Sequence, residues 1–233
     1  MGGTVKRYIA IFSNDNILRK MVTLLFLVYV LFMLYVCFHV EAKVPDEIWF
    51  WNLSREISWN HSIIDVLLTQ NYLGYGAFYW QLLKIIKSFL VLRLLWASML
   101  ISIPICILVF CRKILDFPEK NGLTALLLYL SCPLSWFTGK IIGPEILSQF
   151  LGCWGSFVLF GGYKKSKFGI IAIGSFIMGI ASGIKLYNGI FTAFCGLYVL
   201  QNEIQKKSFK TIFQISIICL GAFLFGFVVG GGL

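Results

Sequence analysis

Long apolar runs recur along this chain from residue 21 almost to its end, and they constrain the fold more than any other feature. The chain is 59% hydrophobic, well above the roughly 45–50% of a soluble domain. Apolar segments of this length are typical of helices that cross a membrane. The sequence therefore predicts an all-α polytopic membrane protein and excludes an ordinary soluble domain.

The basic residues are distributed unevenly, and their distribution predicts an orientation in the membrane. Arg19 and Lys20 precede the first apolar run, whereas Glu41, Asp46 and Glu47 follow it. Because cytoplasmic loops are enriched in lysine and arginine, we expect a cytoplasmic N-terminus and an external acidic loop. The net charge of +10 then reflects cytoplasmic loops, and no nucleic-acid partner is expected.

The segment before residue 91 has two interpretations, as a further span or as a helix lying in the membrane interface. Within 78–90, the polar residues Gln81, Lys84 and Lys87 recur on one helical face. Two lysines are costly at bilayer depth, which favours the interfacial helix. A single crossing over 91–110 also puts the later lysine clusters in the cytoplasm, whereas two crossings would put them outside.

We predict one transmembrane module over residues 1–233, with about seven spans and an external C-terminus. Its external loop with interfacial helices covers 41–90, and the module is expected to be minimal or truncated at its C-terminus. The predicted spans are 21–40, 91–110, 123–138, 146–160, 168–183, 190–200 and 212–229.

Ionisable residues of both signs gather on the predicted external side. Asp46 and Glu47 are adjacent, and Trp49, Phe50 and Trp51 follow them closely. Aromatic residues favour the membrane–water interface, so the two carboxylates are expected there. An external pocket with both signs of charge suits an anionic lipid-linked substrate, because a cation holds the phosphate and a carboxylate activates a nucleophile.

Several motifs along the chain together resemble a known group of membrane enzymes. In chain order they are Pro45-Asp46-Glu47, Ser54-Arg55-Glu56, Tyr79-Trp80, Leu92-Arg93, Ser131-Cys132-Pro133-Leu134, Gly143-Pro144-Glu145, and the segment 179–189 with Lys185. Residues 20–200, approximately, resemble the GT-C class of glycosyltransferases, in particular the protein-mannosyltransferase family and the lipid A aminoarabinose transferase. That family carries a Lys-Pro-Pro run where this chain reads Gly74-Tyr75-Gly76, so another cation must bind the phosphate.

The resemblance implies a cell-envelope enzyme that moves a sugar from a polyprenyl-phosphate donor to a hydroxyl of a glycan, lipid or protein. It implies an inverting displacement on the external membrane face, with Asp46 as the base. No cofactor is assigned, and a divalent metal stays open as an alternative. The implied site residues are Asp46 and Glu47 for catalysis, Arg93, Lys140 and Lys185 for the donor phosphate, and Glu145 and Arg55 for the acceptor or a metal. The expected location is the bacterial inner membrane, with the endoplasmic reticulum as the alternative.

Each of these residues also has a structural interpretation. Asp46 suits an N-cap, and Glu47 and Glu145 suit the first turn of a helix. The side chain of Lys140 could instead simply extend to the membrane interface. At the level of function, a non-catalytic or truncated membrane subunit remains an alternative. A transporter or flippase is a further alternative, but ionisable residues at span ends rather than mid-membrane disfavour it.

Overall fold

A computed structural model of the chain describes residues 15–39, 85–133, 136, 143–186, 197, 201 and 209–230. Within those ranges the chain forms six helices and no strand. They are α1 (Asp15–His39), α2 (Phe89–Lys113), α3 (Glu119–Ser131), α4 (Pro144–Lys164), α5 (Phe168–Ile184) and α6 (Phe209–Gly230).

Four of these helices contain segments long and apolar enough to cross a membrane, namely Asp15–Phe38, Phe89–Lys113, Pro144–Lys164 and Phe213–Gly230. Helix α5 is apolar but has 17 residues, and α3 has 13. The prediction of an all-helical membrane protein is thus confirmed for the described part of the chain. The predicted span over 190–200 lies outside the described residues, apart from Leu197.

Helix α3 ends earlier than the sequence analysis places it. It begins at Glu119 and ends at Ser131, whereas the prediction covers 123–138. Cys132 has extended backbone angles (φ −77°, ψ 119°). Proline disfavours a helical conformation in the residue before it, so Pro133 accounts for this end.

The N-terminus of α2 separates it from the segment that precedes it. Residues 86–88 are not helical, and Ser88 is the N-cap, with an extended backbone (φ −105°, ψ 125°) and its Oγ accepting from the Val91 N–H at 3.4 Å. Serine at this position satisfies an N–H group that the first helical turn leaves unpaired. Phe89 and Leu90 therefore belong to α2 rather than to the predicted interfacial helix 78–90, of which residues 78–84 lie outside the described ranges.

The largest buried cluster is formed by side chains of the first five helices. Tyr29 of α1 is fully buried, and its ring meets the edge of Trp136 at a centroid distance of 5.2 Å. Leu92, Leu100 and Leu130 are buried in the same cluster. Close packing of these side chains fixes the neighbours of α2 and therefore the position of its polar residues.

Helices α5 and α6 are parallel and packed almost backbone to backbone. A Cβ built on Gly179 would meet Phe223, and one built on Gly183 would meet Phe227, so residue numbers rise together along both helices. Such contacts are typical of small-residue interfaces between membrane helices. Because the two helices are parallel, the chain leaves α5 at one end of the bundle and enters α6 at the other.

One end of the bundle is strongly basic. Arg19 of α1 pairs with Glu119 of α3, with Nη2 and Oε1 2.9 Å apart. Lys164 of α4 pairs with Asp116 and donates to the Lys113 carbonyl at 3.2 Å. We call this end, which holds the start of α1, α3, α5 and α6 and the end of α2 and α4, the basic end. The other end of these helices is the opposite end.

Candidate functional site

An ion pair joins Glu145 and Lys185 at the opposite end of the bundle. The Lys185 Nζ lies 2.7 Å from the Glu145 Oε1, and the two side chains are 25% and 40% exposed, respectively. Both residues were predicted from the sequence as parts of one site, and the structure brings them together. Solvent still reaches both, so an incoming anion or hydroxyl group could contact them.

The local sequence explains why each charge occupies its helix end. Gly143 is the N-cap of α4, Pro144 is its first residue, and Glu145 lies in its first turn. Proline is favoured at that position, and a carboxylate there interacts well with the positive end of the helix dipole. Lys185 is the C-cap of α5, and its backbone N–H donates to the Ala181 carbonyl at 3.1 Å. A cation is favourable at that end of a helix.

A buried hydrogen bond fixes the register of the two helices just inside the ion pair. The Ser148 Oγ donates to the Ala181 carbonyl at 2.6 Å, and Ser148 is fully buried. Ser148 follows Glu145 by about one turn, and Ala181 precedes Lys185 by about one turn. The bond therefore holds Glu145 and Lys185 at the same level along the helix axes.

Helix α2 is attached to the start of α4 through a buried tryptophan. The Trp96 Nε1 donates to the Gly143 carbonyl at 2.9 Å, and Trp96 is 3% exposed. A buried indole N–H normally finds an acceptor, and here the acceptor is the residue before Pro144. This bond positions the first turn of α4, which carries Glu145.

Arg93 lies at the same end, one turn before Trp96 on α2. Its guanidinium carbon is 4.9 Å from the centroid of the Phe89 ring, and the residue is 7% exposed. Its carbonyl accepts from the Cys37 Sγ at 3.5 Å, which places the end of α1 beside it. Of the two described cations predicted for the donor phosphate, Lys185 is thus the more accessible.

The remaining predicted site residues lie outside the described ranges. They are Asp46, Glu47, Arg55 and Lys140. However, α1 ends at His39 and α2 begins at Phe89. Since Cys37 and Arg93 are in contact, the segment that carries Asp46 leaves and re-enters the described bundle at the opposite end.

The described ranges contain no group of three or more histidine, cysteine, aspartate or glutamate side chains able to hold a metal. Glu145, the residue predicted to assist a metal, is paired with Lys185 instead. A divalent metal therefore stays a prediction that depends on residues beyond these ranges.

Trp96 and Ser148 are not among the site residues predicted from the sequence, although both position the ion pair. Their residue types could have indicated such a role, because a tryptophan or serine within an apolar span needs a hydrogen-bond partner. The identity of the acceptor, a carbonyl on another helix in both cases, could not be read from the sequence.

Comparison of the chain with protein-family models, with curated proteins and with solved structures finds no match. The function is therefore argued from the site itself and from the motifs described above.

Proposed function

We propose that the chain is a glycosyltransferase that uses a polyprenyl-phosphate sugar at the external membrane face. The observation that carries the proposal is the partly exposed Glu145–Lys185 ion pair, which lies at the same end of the bundle as the buried Arg93. These charges lie at the end of the bundle where the segment with Asp46 leaves and returns. A lipid-linked donor presents its phosphate near the membrane surface, where such a group of cations can meet it.

In the proposed reaction, Asp46 removes the proton from the acceptor hydroxyl as its oxygen attacks the anomeric carbon. A new bond forms between that oxygen and the sugar, and the bond between the sugar and the phosphate oxygen breaks. The electron pair leaves with the polyprenyl phosphate, and configuration at the anomeric carbon inverts. A nearby cation stabilises the charge that develops on the leaving phosphate.

Lys185 is the better candidate for that cation, because a quarter of its side chain is exposed. Glu145 neutralises it in the absence of substrate, and the donor phosphate would take the place of the glutamate. Arg93 is more deeply buried, so its role would be to add positive potential at this end of the bundle rather than to bind the phosphate directly.

The proposal includes a topology and a location. We propose about seven spans, with the N-terminus in the cytoplasm and the C-terminus outside. The unequal charge of the two ends supports this orientation, since the basic end belongs in the cytoplasm. The bacterial inner membrane is the proposed location, with the endoplasmic reticulum as the alternative.

The test measures transfer of labelled sugar from polyprenyl-phosphate mannose, glucose or aminoarabinose in membranes containing matched protein amounts. Asp46→Asn should reduce transfer by about 10²–10⁴-fold, the usual cost of losing a general base. Lys185→Gln should also reduce transfer. Glu119→Gln and Arg19→Gln, which remove one charge each at the basic end, are the matched controls and should leave transfer unchanged.

Full activity of Asp46→Asn would refute the assignment of the base. Absence of transfer by the unmutated chain with every donor would favour a non-catalytic or truncated membrane subunit. Inhibition of transfer by a chelator, reversed by added divalent metal, would indicate that the site contains a metal ion.

A further inference from the structure

The basic end carries more positive charge than its own carboxylates can neutralise. Two of its cations, Arg19 and Lys164, are paired with Glu119 and Asp116. Other exposed cations at this end have no carboxylate partner among the residues that the structure describes. They are Lys20, Arg112, Lys113, Lys165, Lys167 and Lys210.

The turn between α4 and α5 holds two of these lysines in a defined conformation. The Ser166 N–H donates to the Tyr163 carbonyl at 3.0 Å, and the Lys167 N–H donates to the Gly162 carbonyl at 2.9 Å. With Ser166 at φ 53°, these bonds form a Schellman motif. Lys165 and Lys167 therefore project from a fixed turn rather than from an unstructured tail.

The same turn is tied to the connection between α2 and α3. Lys164 reaches across to Asp116 and to the Lys113 carbonyl. The Lys164 side chain thus connects the two segments, and it brings Lys113 close to the turn that carries Lys165 and Lys167. Like charges held near one another repel, so an external anion that binds between them lowers the energy of the group.

Exposed aromatic side chains accompany these cations. Phe117, Phe168 and Phe209 are 46%, 42% and 80% exposed, respectively. Each is near a lysine in sequence, and Phe168 begins α5 directly after Lys167. Aromatic and basic side chains together at the ends of apolar helices are typical of the level of lipid headgroups.

We propose that the basic end binds the phosphate headgroups of anionic phospholipids in the adjacent leaflet, with Lys113, Lys165 and Lys167 as the centre of the binding surface. Ammonium groups bind phosphate through charge-assisted hydrogen bonds. Apolar helix walls and exposed phenylalanines next to the lysines favour a lipid over a soluble acidic partner. The proposal is independent of any enzymatic activity at the opposite end.

The test uses the full chain purified in detergent micelles and fluorescent phosphatidylglycerol as the probe, with phosphatidylcholine as the zwitterionic comparison. The chain should bind phosphatidylglycerol more tightly, and added salt should weaken that binding. Lys165→Gln should reduce affinity roughly fivefold, and the double variant Lys165→Gln, Lys167→Gln roughly 25-fold, from the typical contribution of a basic residue near an anionic surface. Lys87→Gln removes one positive charge at the opposite end and should leave affinity unchanged.

Equal affinity for the two lipids would overturn the proposal, and so would an unchanged affinity in a folded double variant. Efficient displacement of phosphatidylglycerol by inorganic phosphate at equal concentration would indicate a general anion site and would also overturn it. If the double variant fails to fold, the salt dependence of the unmutated chain decides, because binding that is insensitive to salt contradicts a surface made of exposed lysines.

Discussion

Replacing Gly226 by alanine should push α5 and α6 apart. Gly226 lies directly against α5, and a Cβ built on it would collide with the Phe176 carbonyl oxygen. It would also lie 2.9 Å from the Phe176 carbonyl carbon and 3.1 Å from the Ile180 nitrogen. These are backbone atoms of a packed helix, so no side-chain rotation can relieve the collision.

The size of the effect follows from these distances. Carbon atoms attract most strongly at about 3.5–4.0 Å, so the 2.9 Å separation has to increase by about 0.6 Å or more. A gap of about 0.5–1 Å forfeits a quarter to a half of the dispersion energy between the surfaces concerned. Overpacking of this kind typically costs about 1–3 kcal/mol. We therefore expect Gly226→Ala to lower the free energy of unfolding by that amount.

The assay is unfolding of the purified chain by titration with sodium dodecyl sulfate in mixed micelles. Gly221→Ala on the same helix is the matched control, because a Cβ there meets nothing within 4 Å. It should be neutral or stabilising by up to about 1 kcal/mol, since alanine favours a helix more than glycine does. Equal unfolding midpoints for the two variants would show that α5 and α6 are not packed through Gly226.

Three further predictions use the same unfolding measurement. Ser166→Gly should raise the free energy of unfolding by about 1 kcal/mol, because Ser166 has φ 53° at a position that favours glycine. An unfolding midpoint below that of the unmutated chain would contradict this backbone conformation at Ser166. Trp96→Phe should lower the free energy of unfolding by about 1–3 kcal/mol, because it removes the donor to the buried Gly143 carbonyl. An unchanged free energy of unfolding would mean that this hydrogen bond is not formed. Glu119→Gln should lower the free energy of unfolding by less than about 1 kcal/mol, because its pair with Arg19 is exposed. Salt at about 1 M should abolish this difference, and a large loss of stability that persists in salt would indicate a buried interaction.

The charge pattern in the sequence predicted the architecture at the level of helix ends. The sequence predicts Glu145 and Lys185 on one side of the membrane and the lysine clusters on the other, and the ion pair agrees with the first of these groupings. Gly143 and Pro144 also marked the start of α4 closely. These features were predictable because helix capping and the placement of charged residues at helix ends depend on local residue types.

Helix packing was not predictable in the same way. The four-residue spacing of Gly179 and Gly183, and of Gly226 and Gly230, is visible in the sequence and is typical of a membrane helix interface. The spacing does not say which helix lies against which, or that the two run parallel. Those facts depend on contacts between distant parts of the chain.

The packing of α5 explains how the candidate site keeps its geometry. A Cβ on Gly174 would collide with α4, and one on Gly183 would collide with α6, so the backbone of α5 has neighbours on both sides almost up to Lys185. On the other side of the ion pair, Trp96 holds the start of α4 and thereby the backbone of Glu145. An anion could therefore replace the glutamate by side-chain movement alone, without displacement of a helix. Because little conformational freedom would be lost at that step, the proposed exchange would carry a small entropic cost.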